Sequence, residues 1–300
     1  AFLGRRRALP QIGDYDNGYA LSPHLWFDWG RGAEQRSSNA TFPNAGYTII
    51  SRGSPAPCRL VFDHGPLGMP PCFAHGHADA LSIIFEYGDQ EVLIDPGTYT
   101  YSGDAAWRSY FRSTQAHNTV VVDHIDQAVQ ETAFMWSKPF RAQLLRKSVD
   151  PSGSVVLIAN HHGYKGRFGV THWRGIAFYP QRGWLVWDCL LGTGNHSLEL
   201  NWHLGIEPVR GMAGYVVRTD RGTLHFLIGG GATTLLRNET SPNSAWRSRM
   251  YGMKEPISTL RTRFTGVLPH EFVTEIRFDN SSDSLPISAV ISSFRGVIHE

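Results

Sequence analysis

The chain has 300 residues, 41% of them hydrophobic and 18% charged, with a formal net charge of +2. That is enough apolar content to bury a large core. The charge is too evenly balanced for a nucleic-acid binder, which concentrates a basic face. No run of about 18 apolar residues occurs, so no membrane-spanning helix is expected. The positive charge is carried by 24 Arg and only 4 Lys. Arginine grips carboxylates and sulfates with a planar fork, although codon usage alone can produce the same bias.

Taken from the N-terminus, AFLGRRRALPQ has neither the apolar length nor the cleavage pattern of a signal peptide. The chain also lacks an initiator Met, so it is expected to begin after processing or inside a longer protein. Short runs rich in Val, Ile, Phe, Tyr and Trp then predict strands at 81–87, 90–95, 118–123, 155–160, 174–179, 184–190, 197–203, 223–228 and 272–278. Gly88-Asp89 has the composition of a two-residue hairpin turn. Residues 104–113 predict one or two helical turns, and no long amphipathic helix is evident. Many short strands separated by Gly and Pro predict one all-β domain over 1–300, a large antiparallel multi-stranded β-sandwich. Three cysteines, Cys58, Cys72 and Cys189, make a disulfide framework improbable and leave Cys58–Cys72 as the one candidate pair.

The chemistry-bearing stretch is 72–123. It opens on His75-Gly76-His77, whose imidazoles would share a face in an extended segment. The run QEVLID ends on Asp95, and a hairpin return can bring that carboxylate beside the histidines. His117 opens NTVVVD. Two histidines and a carboxylate at element ends can form a three-ligand zinc site with an open fourth position. The competing reading is ordinary: buried histidines are usually hydrogen-bonded core residues, and Asp-Pro-Gly is a common turn.

The runs HGHADALS, LIDPGTYTY and WRSYFRSTQAHNTVVVD together resemble the signature of the heparinase II/III-like polysaccharide lyases, which include alginate and heparin lyases. PQIGDYDNGY at 10–19, HHGY at 161–164, HWRGIAFY at 172–179 and WLVWDCLLGTGNHSLELNWHL at 184–204 extend the likeness. The resemblance covers roughly residues 10–205. It implies an N-terminal α/α toroid followed by an antiparallel β-sandwich, with the active site between them; this chain would carry only the sandwich. It also implies zinc ligands at His77, Asp95 and His117 and an active-site histidine at His75. Asp79 is the rival for the carboxylate ligand.

Such enzymes cleave uronic-acid glycans by β-elimination, in which a base removes the C5 proton, an acid protonates the departing oxygen and the carboxylate is neutralised. The family likeness makes His75 an expected catalytic group; Tyr101 and Tyr99, close in sequence to Asp95, are expected as a further catalytic group and a substrate contact, and Arg108 and Arg112, four apart and so on one face of a short helix, as clamps on a substrate carboxylate. Tyr110 is a further candidate, and Asn118 a support for His117. Trp26, Trp29, Trp107, Trp136 and Trp173 are candidate sugar-stacking faces, though most tryptophans in such a chain pack in the core. The expected partners are an acidic polysaccharide or oligosaccharide and the toroid of the same protein, with no nucleic acid and no membrane span, in the periplasm or outside the cell. Two other readings stand beside this one. His77, Asp79 and His117 form an HxD…H set that could hold the iron of a non-haem oxygenase. Alternatively the chain is a non-catalytic carbohydrate-binding or structural sandwich.

Overall fold

A computed structural model describes Ile12, Asp14, residues 38–240, 243–279 and 285–298. Two antiparallel sheets dominate it. The first runs in spatial order Ser38–Phe42, Tyr47–Arg52, Cys58–Asp63, Ile83–Tyr87, Gln90–Leu93, Asn195–Leu204, Ser258–Val267 and Ala232–Arg237, and Val120–Val122 also joins Asn195–Leu204. The second runs Val209–Arg210, Tyr215–Thr219, Gly222–Gly229, His270–Phe278, Gly183–Leu191, Thr171–Tyr179, Val155–His161 and Ala142–Val149. Phe62, Phe85, Leu200 and Trp202 from the first sheet and Leu157, Phe178, Trp184 and Ile276 from the second share one buried core. This is the expected sandwich.

Each predicted strand appears, most of them shifted by one to three residues at the ends. Tyr87 pairs with Gln90 across Gly88-Asp89, so the two-residue hairpin forms. The helix spans Ala105–Arg112, and Asp104 caps it by accepting from the backbone N–H of Ala106 and Trp107. The expected set lacks the three strands before residue 64, the later strands Ala142–Val149, Tyr215–Thr219, Ala232–Arg237, Trp246–Met250 and Ser258–Val267, and the C-terminal helix Ile287–Ile298. That helix covers the outer face of the second sheet: Phe294 stacks on Trp187 at 5.5 Å. A Cβ on Gly175 would lie 2.7 Å from the Phe294 ring, so a glycine is needed where the helix seats. The candidate Cys58–Cys72 disulfide does not form: Cys58 is buried in the core and Cys72 is exposed, both as free thiols. No helix among the described residues is long and apolar enough to cross a membrane.

One end of the core is polar. Arg174 and Asp188 are register partners on adjacent strands, and both are fully buried. The Arg174 guanidinium forks onto Asp188, with Nε to Oδ1 at 2.7 Å and Nη2 to Oδ2 at 3.1 Å. Its Nη1 donates across the core to the carbonyls of Leu81 (2.6 Å) and Asn118 (2.5 Å). His172 Nε2 reaches the same Asp188 oxygen at 2.7 Å, and His161 joins His172 at 3.1 Å. Replacing Arg174 with Ala would leave a buried, half-paired carboxylate and two carbonyls without their donor. The expected loss is about 3–5 kcal/mol of stability, measured by urea denaturation; a loss under about 1 kcal/mol would show that the network does not hold the sheets together.

Candidate functional site

The site lies where the first sheet is interrupted. Along one edge of Asn195–Leu204, Val120–Val122 pairs opposite Leu198–Leu200 and Leu93 pairs opposite Leu204. Asn118 bridges the gap between them. Its Oδ1 accepts from the His203 N–H at 2.7 Å, and its Nδ2 donates to the carbonyls of Ile83 and Ile94 at 2.8 and 2.9 Å. The side chain is thus wholly occupied in stitching strands, which fixes the backbone of its neighbour His117.

His117 is fully buried, and its Nδ1 donates to the Ser113 carbonyl at 2.8 Å. A carbonyl can only accept, so Nε2 carries the lone pair. His77 is also buried, and its Nε2 donates to Asp14 Oδ1 at 3.1 Å. By the same logic its Nδ1 is the lone-pair nitrogen. These two nitrogens face each other at 3.2 Å. Two lone pairs at that distance need a proton or a cation between them. Zinc bound at 2.0–2.1 Å spans a tetrahedral N···N edge of about 3.3 Å, and metal-binding histidines ordinarily tie back their other N–H in this way. The residues therefore fit such an ion. Burial lowers the proton affinity of both rings, His117 to about 4, which keeps them in the neutral form that binds metals.

Carboxylates complete the ring. Asp95 lies just past the strand Gln90–Leu93; its Oδ1 accepts from the Gly97 N–H at 2.9 Å, and its Oδ2 stands 3.8 Å from His117 Nε2. Asp79 offers an oxygen within 4.8 Å of ligand nitrogens of both His77 and His117. Asp79, Asp95 and Asp63 crowd one small pocket, closed partly by Tyr47 and Ser82. Burial, and then the charge of its neighbours, raises the proton affinity of Asp79 well above the usual carboxylate range.

His75 lies in a turn closed by the Gly76 N–H on the Phe73 carbonyl, and Gly76 and His77 belong to no strand, in place of the extended run expected. The backbone passes so close to Leu67 that a Cβ on Gly76 would sit 1.8 Å from its carbonyl oxygen. The two imidazoles converge for a different reason: both bond one carboxylate. Asp14 takes His77 on Oδ1 and His75 Nδ1 on Oδ2 at 2.6 Å. Burial opposes its charge, but the hydrogen bonds from His77, Thr98 and His75 hold Asp14 well below the ordinary range. Asp14 lies 61 residues from His75 in a segment whose family likeness was visible but whose role was not. The His75 side chain is 70% exposed and makes an edge contact with Tyr101 at 5.8 Å.

Other expected contacts are placed differently. Arg108 does lie at the site, its Nη1 3.5 Å from Asp14, but it is buried beneath the rings of Tyr101 and Phe134. Among the described residues its Nη1 and Nη2 have no hydrogen-bond partner. Arg112 is not a surface clamp; it is fully buried over Trp136 and donates to the carbonyls of Thr132 and Ala133. Tyr99 packs on Trp107 and Phe111, and its hydroxyl accepts from Lys254. The Tyr110 hydroxyl is buried against the Trp246 carbonyl. Trp136 is buried, Trp107 packs against Trp246, and Trp173 lies against the C-terminal helix cluster. Trp26 and Trp29 lie outside the described residues. Sequence reasoning missed Tyr251, at the tip of the hairpin Trp246–Met250/Met253–Pro256; its hydroxyl accepts from the Tyr101 N–H at 3.5 Å and its ring packs on Tyr101.

A family profile described as heparinase II/III-like, C-terminal, matches residues 34–284. Among solved structures, a heparinase III (BT4657 gene product) superposes with a TM-score of 0.66 at 17% identity, over 84% of this chain and 38% of that one. Heparan sulfate lyase HepC from Pedobacter heparinus superposes with a TM-score of 0.65 at 18% identity, over 85% of this chain and 38% of that one. No curated protein matches the sequence. The chain thus spans under two fifths of the length of either structure, and the likeness to them is one of fold. With the profile matched across most of its length, the chain belongs to the heparinase II/III-like family, of which it carries the C-terminal domain.

Proposed function

We propose that this chain is the cation-bearing β-sandwich domain of a polysaccharide lyase that cleaves uronic-acid-containing glycans by β-elimination. The observation that carries the reading is the His75–Asp14 pair: an exposed imidazole, oriented by a half-buried carboxylate, with its Nε2 directed away from that bond. The relatives of known structure are named as heparinase III and heparan sulfate lyase, which supports an acidic glycan as substrate.

In this reading His75 Nε2 removes the C5 proton of the uronate, and the C–H electron pair moves toward the carboxylate as an enolate-like state. That state collapses to a C4–C5 double bond, the C4–O bond breaks, and the departing oxygen takes a proton. Its contact with the His75 ring supports Tyr101 as the donor of that proton. Arg108 adds positive potential from beneath the Tyr101 ring rather than by touching the sugar. When bound, a zinc ion at His77, Asp95 and His117 supplies fixed positive charge and ties three segments together. No HExxH stands beside it to supply a hydrolytic base. The remaining charge-stabilising groups are assigned to a toroid of the same protein, and a periplasmic or secreted location accords with a glycan substrate.

His77, Asp79 and His117 are also the 2-His-1-carboxylate set that a non-haem iron site needs. Family membership favours the lyase. Iron in the purified protein together with oxygen uptake would reverse that preference.

Three outcomes are expected. Purified without chelator, the chain carries about one zinc, and His117→Ala removes it; equal zinc in both proteins would refute the ligand assignment. Stripping the ion lowers the melting temperature, because it binds the folded state alone; an unchanged curve after verified removal would show that the ion does not support the fold. With its natural N-terminal region present, the protein generates ultraviolet-absorbing unsaturated uronate from at least one polymer in a uronic-acid panel. There His75→Ala lowers the rate by about 10²–10⁴-fold, and residues 1–300 alone run at least about 10²–10³-fold slower than the longer protein. No product from any polymer, or full activity without His75, would defeat the proposal.

A further inference from the structure

We infer that Asp79 is a fourth protein ligand, so that His77, Asp79, Asp95 and His117 together enclose the cation and leave it no open position for water or substrate. The inference rests on the cation reading above and goes beyond its three ligands. Its first support is distance. Ligand atoms of His77, Asp79 and His117 all lie within 4.8 Å of one another. An ion at 2.0–2.1 Å from each ligand requires ligand separations of about 3.3 Å, so closure asks for side-chain shifts of little more than an ångström. Asp95 Oδ2 approaches the same His117 nitrogen at 3.8 Å, and each imidazole has only its lone pair directed inward, as the acceptors on Asp14 and Ser113 dictate.

The second support is the company Asp79 keeps. Asp95 is held by the Gly97 N–H, and Asp63 accepts from the Gly65 N–H and from Tyr47. Asp79 has no such donor among the described residues beyond its own backbone N–H, and no Lys or Arg pairs with it. A half-buried carboxylate beside two others, unpaired and within reach of two lone-pair nitrogens, is a group arranged for a cation. A ring of two neutral imidazoles and two carboxylates cancels a divalent charge. An ion so enclosed is a structural fastener, and the chemistry is left to His75 outside the ring.

The test compares Asp79→Asn, Asp95→Asn and His117→Ala in the full chain, using zinc itself with a chromophoric chelator as competitor. Cobalt(II) substitution and X-ray absorption report the number of protein ligands and any bound water. Circular dichroism confirms that each variant is folded. If the inference holds, Asp79→Asn weakens zinc by at least the roughly 10–100-fold that loss of an outer-sphere partner costs. The wild-type absorption spectrum then fits four protein ligands with no water, and the variant's spectrum gains a water. Wild-type affinity in Asp79→Asn, with binding lost in Asp95→Asn and His117→Ala, would overturn the fourth ligand and leave the three-ligand reading standing. A bound water in the wild-type spectrum would do the same. Failure of the wild-type chain to bind zinc or cobalt would overturn both.

Discussion

The arrangement depends on one buried charge, the Arg174 guanidinium between the sheets. Taking it out of water costs several kcal/mol, and four hydrogen bonds to surrounding acceptors offset the cost. Asp188 takes the fork, the carbonyls of Leu81 and Asn118 take Nη1, and the face of Trp202 lies 5.0 Å away. Those two carbonyls belong to the segments that carry Asp79 and His117. A pair formed wholly within the second sheet therefore sets the position of residues projecting from the first. His172 and His161 extend the network and fill a core end that apolar side chains would otherwise occupy.

Asn118 plays the matching part inside the first sheet. Where the ladder along Asn195–Leu204 is broken, its amide supplies the missing donor and acceptor. A break in a sheet normally exposes backbone groups that must be satisfied; here the Asn118 side chain does so together with the backbone bonds from Asn201 N–H to Thr119 and from Ile94 N–H to His203. The short helix Ala105–Arg112 closes the other side, and Arg112 anchors it to the 131–136 turn from within. The site is thus surrounded by elements tied to one another by buried hydrogen bonds, with Nη1 and Nη2 of Arg108 and Nη2 of Arg112 left over. That is how neutral imidazoles and crowded carboxylates are kept in a fixed relation.

How much of this is legible in the sequence varies by element. The strands Thr171–Tyr179 and Gly183–Leu191 are readable because they are buried along most of their length and carry the apolar runs IAFY and WLVW, interrupted by the paired Arg174 and Asp188. The C-terminal helix is not: ISAVISSFRGVI is rich in β-branched residues and serine, and it becomes helical because Phe294 and Val290 find the sheet face at Gly175 and Trp187. His77, His117 and both carboxylates stand out by type, but the choice between Asp79 and Asp95 turns on distances of an ångström, which spacing does not encode. Arg108 and Arg112 share a helix face as their separation requires, yet that face turns inward, because Trp136 and the 132–133 carbonyls offer the guanidinium a better-matched environment than water. Asp14 was beyond reach, since nothing local links it to residues 61 and 63 positions away.

That carboxylate has an implication for how the two halves of the site influence each other. Asp14 is a shared acceptor: one oxygen takes the inner imidazole and the other takes the outer one. Were a cation held on His77 Nδ1, the electron density it drew from the ring would make Nε2–H a stronger donor and leave less of the carboxylate's charge for His75. The reverse path holds equally, because linkage between two binding events is symmetric. If an ion sits on the inner imidazole as proposed, its presence and the outer imidazole's hold on the shared carboxylate become two readings of one conduit.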